Sequence, residues 1–100
     1  MTELDKLEQY LQDAGIRYER IDNESPYEAD AGLPKDFGNW HQLVVYDSAG
    51  RQMWDAICHW GSYGYEQGLL EIMGSVLTCN EDVIGYLTAQ DVIERIESRV

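Results

Sequence analysis

The sequence predicts one α+β domain over residues 1–100, a three-stranded antiparallel sheet with helices packed on one face in the order α-β-β-β-α-α. Apolar residues recur at helical spacing near both ends of the chain. Between them, two alternating segments flank a short glycine-containing turn, the signature of a hairpin. Antiparallel strands with helices over one face would bury both kinds of stripe.

The first helix begins at a capping pair, Thr2 with Asp5, carries Leu4, Leu7, Leu11 and Ala14 on one stripe, and is closed by Gly15. In "IRYERID", Ile16 and Tyr18 alternate with Arg17 and Glu19, which predicts a short edge strand. Ile21 leaves that alternation, so a bulge or the strand's end is expected there. Both prolines, Gly32 and Gly38 fall in the next stretch, read as one long acidic loop at about 23–40. Loops of this length are uncommon and often functional.

"HQLVVYD" and "RQMWDAICHW" make the hairpin, joined around Ser48, Ala49 and Gly50. In its second strand Trp54, Ala56, Cys58 and Trp60 share the face toward the helices, and Met53, Asp55, Ile57 and His59 the other. "YEQGLLEIMGSVL" reads as a helix, with Leu69, Ile72, Met73, Val76 and Leu77 on its stripe. Gly68 and Gly74 weaken it by roughly 1 kcal/mol each, which points to close packing or a break. The last helix is marked by the Thr88–Asp91 capping box, a Leu87–Val92 staple, and a buried side of Val92, Ile93 and Ile96.

The chain has 19 acidic and 7 basic residues, a formal charge of −12. That repels nucleic acid and anionic membranes and suits a protein partner with a basic surface. The acidic N-terminus lacks the basic and apolar regions of a signal peptide, so a cytoplasmic protein with reduced thiols at Cys58 and Cys79 is expected.

The stretch "CHWGSYGYEQG" gathers a thiol, an imidazole, glycines and aromatic rings. Cys58 and His59 are neighbours on a strand and point to opposite faces, which opposes a nucleophile–base pair. Asp55 and His59 share a face but lie roughly 13 Å apart along an extended strand. His41, Cys58, His59 and Cys79 lack the spacing of a zinc site, so no metal or cofactor is expected. Gly61, Gly64 and Gly68 lack the Walker lysine and bring Glu66 where a phosphate would sit. A GxxG loop for single-stranded RNA needs a basic surround that is missing. Glycines for a tight turn remain, together with Trp60, Tyr63 and Tyr65, which cannot all face inward and form a contact surface.

"WDAICHWGSYGYEQGLLEIMG" followed by "GYLTAQDVIERI" resembles small uncharacterised proteins encoded in prophages and mobile elements of gut Firmicutes. The resemblance covers most of the chain, from "LEQYLQDAGIRYERID" through the final helix, and is weakest in the long loop. It implies phage origin and a bacterial host cytoplasm, and nothing about chemistry.

The expected function is an acidic protein–protein interaction module, in its sharpest form a nucleic-acid mimic that inhibits a basic host enzyme. Glu24, Tyr27, Glu28, Asp30, Trp60, Tyr63 and Tyr65 are the candidate partner-binding residues. The alternatives are a small enzyme using His59 with Cys58 or Asp55, and a homo-oligomeric structural component. Binding is favoured because no well-spaced acid–base constellation is visible.

Overall fold

The computed structural model describes residues 1–23, 39–75 and 83–98. Glu24, Tyr27, Glu28, Asp30, Val76, Leu77 and Cys79 therefore lie outside the described residues. The fold is α+β, but the sheet has five strands and the described helices are two. Helix α1 (Glu3–Asp13) precedes β1 (Tyr18–Asn23), β2 (Trp40–Tyr46), β3 (Gln52–Ile57), β4 (Leu70–Gly74) and β5 (Ile84–Leu87), and α2 (Ala89–Glu97) follows. The strands are ordered β1-β2-β3-β4-β5, each antiparallel to its neighbour.

Both capping boxes form as the sequence predicts: Thr2 and Asp5 exchange bonds at α1, Thr88 and Asp91 at α2. The helices are tied at their first turns, where the Ala89 amide donates to Glu3 Oε1 at 2.8 Å. Leu4, Leu7 and Leu11 of α1 and Ala89 and Val92 of α2 share one buried cluster with Leu43, Val45, Trp54, Ala56, Leu70 and Ile72. Those strand residues occupy a single face: Arg20, Leu43, Ala56, Ile72 and Ile84 form one row across the sheet, and Tyr18, Val45, Trp54 and Gly74 the next. Both helices thus pack on one side of the sheet. The opposite face carries the rows Glu19–Val44–Asp55–Met73 and Ile21–Gln42–Ile57–Glu71.

Two expectations are corrected. The segment "YEQGLLEIMGSVL" is not a helix: it begins with a single 3-10 turn at Tyr65–Gln67 and continues as β4. Gly68 and Gly74 leave only a short run between them, too short for a helix and long enough for a strand. Leu70 and Ile72 point into the core, whereas Met73 is exposed. Gly74 is the close approach its position suggested, since a Cβ there would strike the Met53 carbonyl and the Trp54 backbone. Ile21 is also no bulge. It pairs in register with Gln42, on the face away from the helices. That leaves Tyr18, Arg20 and Asp22 as the β1 residues on the helix face.

Candidate functional site

After Ile57 the backbone of the hairpin stays paired for three more residues: Cys58 and Trp60 amides donate to the His41 and Asn39 carbonyls at 2.8 and 2.9 Å. The chain then winds through short turns. His59 N–H bonds to Ser62 Oγ, Ser62 N–H to the His59 carbonyl, and Gly68 N–H to the Tyr65 carbonyl. The glycine-rich stretch is a turn joining β3 to β4.

That turn is fastened to β4 and β5. The Tyr63 amide donates to Glu71 Oε1 at 3.0 Å, and the Tyr86 amide to the Tyr63 carbonyl at 3.3 Å. Tyr63 lies so close over Gly85 that a side chain at position 85 would overlap its Cβ. Tyr86 follows in the left-handed region, with φ 59°, where an L-residue costs about 1–2 kcal/mol. The result is a stacked pair, Tyr63 and Tyr86, ring centroids 6.4 Å apart and planes at 19°. Each residue is 60% exposed. Trp60 and Tyr65 meet edge to face at 6.0 Å, both partly buried. Between these pairs lies an open cavity of about 380 Å³ lined by Trp60, Tyr63, Tyr65, Glu66 and Tyr86. Beside the turn, exposed Trp40 stacks on His59 at 4.0 Å.

The same end of the sheet carries a second polar region, on the helix side. Arg20 Nη1 bonds Asp5 Oδ1 at 2.8 Å and Glu8 Oε1 at 3.0 Å, and its Nε bonds Asp22 Oδ2 at 2.9 Å. Asp22 also meets His41 Nδ1 at 2.8 Å. Burial opposes the Arg20 charge, but the three carboxylates outweigh it and raise the pKa. Burial likewise works against the Asp22 carboxylate, and the bonds to His41 and Arg20 overcome it, so its pKa falls. Asp5 is lowered first by the Thr2 amide and then by Arg20. Asp5, Arg20, Asp22, His41 and Cys58 line a cavity of about 450 Å³.

The imidazole beside the Cys58 thiol is that of His41 on the paired strand, not that of its sequence neighbour His59. Asp22, His41 and Cys58 sit side by side on β1, β2 and the extension of β3. The ring Nδ1 is held by Asp22, and burial pushes the Cys58 thiol up, toward its neutral form. A neutral thiol is a weak nucleophile. His59 stacks on Trp40, as adjacency on a strand requires of a residue facing away from Cys58. Asp55 is bonded by Gln42 Nε2 at 2.7 Å, and burial raises its pKa.

Of the candidate binding residues, Trp60, Tyr63 and Tyr65 are brought together around one cavity; only Tyr63 is strongly exposed. Tyr86, the fourth ring, was missed, and its only local signal is the glycine before it. Among the described residues no group of three or more His, Cys, Asp or Glu is placed to hold a metal, and no described helix is long and apolar enough to cross a membrane. Neither a family model, nor a curated protein, nor a solved structure matches the chain.

Proposed function

We propose that this protein is a protein-interaction module whose partner docks on the aromatic turn and carries a basic surface. The observation that supports it best is the Tyr63–Tyr86 pair: two large rings stacked in solvent, one of them on a strained backbone. Strain of this kind persists only where the surrounding structure enforces it, and it concentrates at functional positions. Tyrosine and tryptophan are favoured at binding surfaces, where large rigid rings contribute area at small entropic cost. The charge of −12 gives the chemistry of the partner. A basic surface that ordinarily meets phosphates would meet carboxylates and aromatic rings here, so a nucleic-acid enzyme fits the role.

A photo-reactive side chain at position 63, compared with one at position 51 in the far hairpin, tests this in bacterial lysate. One discrete cross-linked protein at position 63, absent at 51 and suppressed by high salt, is expected. Equal patterns at the two positions would overturn the assignment.

A further inference from the structure

The cavity at the turn combines aromatic walls with a carboxylate for which no described cation forms an ion pair. Glu66 is exposed at its rim, and the described ion pairs all lie elsewhere. Lys6 is held by Glu3, and Arg20 is enclosed by Asp5, Glu8 and Asp22. Arg17 and Arg51 flank the other end of the sheet, beside the start of β1 and the β2–β3 turn. The second carboxylate near the turn, Glu71, is engaged by the Tyr63 amide. Glu66 is therefore a negative charge among rings at an end of the sheet from which Arg17 and Arg51 are remote.

From this we infer that the cavity is a pocket for an arginine side chain of the partner polypeptide. A guanidinium is flat, weakly hydrated and stacks on aromatic faces, while its paired N–H groups match a carboxylate. Cations are also drawn to the faces of tryptophan and tyrosine rings. The volume of about 380 Å³ suits one side chain with its flanking backbone. An anion would meet Glu66 with no described base to receive it. The partner arginine lies between the Trp60 and Tyr63–Tyr86 sides and pairs with Glu66. This inference rests on the interaction surface proposed above and names what that surface reads.

Blocked Gly-Arg-Gly, Gly-Lys-Gly and Gly-citrulline-Gly tripeptides, titrated at low salt and followed by amide NMR shifts, test it. The arginine probe should shift residues 60–67 and 86 saturably, and the citrulline probe, equal in shape but uncharged, should not. The lysine probe should bind more weakly than the arginine probe. Glu66→Gln should weaken arginine binding by roughly two- to fivefold, the scale of an exposed ion pair, with the thermal melt unchanged. Equal shifts from arginine and citrulline, or arginine shifts confined to the Arg20 carboxylates, would overturn the pocket. Concentration-dependent self-association through the turn would instead make Arg17 or Arg51 of a second copy the occupant, and would also overturn a partner arginine. If the probes fail while the position-63 cross-link still forms, the surface stands and the arginine pocket falls; if both fail, both fall.

Discussion

Two regions meet at one end of the sheet and are built in opposite ways. Beneath α1, the guanidinium of Arg20 is taken up by three carboxylates, and Asp22 is shared with His41. In the turn just beyond, Tyr63 and Tyr86 stack in solvent, and no described cation pairs with Glu66. The first region spends its polar chemistry inside the molecule. The second directs rings and charge outward and tolerates a left-handed tyrosine to do so. The difference separates groups that hold the fold from groups available to another molecule.

The largest effects belong on the covered side. Trp54, 5% exposed between the sheet and helices, should cost about 3–5 kcal/mol on truncation to alanine, whereas Tyr63→Ala should cost less than about 1 kcal/mol. Urea melts of the two variants compare them. Equal losses would place Tyr63 in the core and erase the distinction.

Arg20→Ala should come next, at about 1 kcal/mol near neutral pH, because it leaves three largely solvent-screened carboxylates without their shared cation. Asp5 and Asp22 both titrate below their ordinary value of 3.8 in the folded protein. Their contribution is complete above that value and is lost as pH falls through the lowered folded values. The gap between wild type and Arg20→Ala should therefore narrow on acidification below about pH 4. A gap independent of pH would mean that Arg20 acts through packing alone.

The same contrast shows what the sequence could express. Both helices and the β2–β3 hairpin were legible because each is written locally: a capping box at either helix, alternation around a Ser-Ala-Gly turn. Of the expected inward set, Trp54 and Ala56 are in the core and Cys58 packs against it, but Trp60 lies at the turn's cavity against Tyr65. β4 was not legible, because "GLLEIMG" is apolar enough to satisfy either period and only the closely spaced glycines argue for a strand. β5 was hidden because its four residues include a glycine and a left-handed tyrosine, both unusual in a strand. The aromatic turn was visible as composition. Its partner Tyr86 and the Asp22–His41–Cys58 row depend on pairing between distant strands, which no local pattern records.

A smaller effect probes that row. With Cys79 replaced by serine, Cys58 should react with a thiol reagent several-fold more slowly at neutral pH than a free cysteine, since burial raises its pKa. Its rate should climb as pH rises. Labelling at the speed of an open thiol would make the region beneath α1 a reactive site and remove its contrast with the turn.

The most direct measurement is the unfolding free energy of Tyr86→Gly. Tyr86 holds φ at 59° and leaves most of its ring in water, so the fold gains little from the side chain and bears the strain of its backbone. Glycine removes that strain, which offsets the chain entropy that glycine adds and the lost ring contact, so stability should stay within about 1 kcal/mol of the wild type. A loss larger than that would mean that the ring is a structural brace over the turn, and the account of an outward-facing aromatic surface would be wrong.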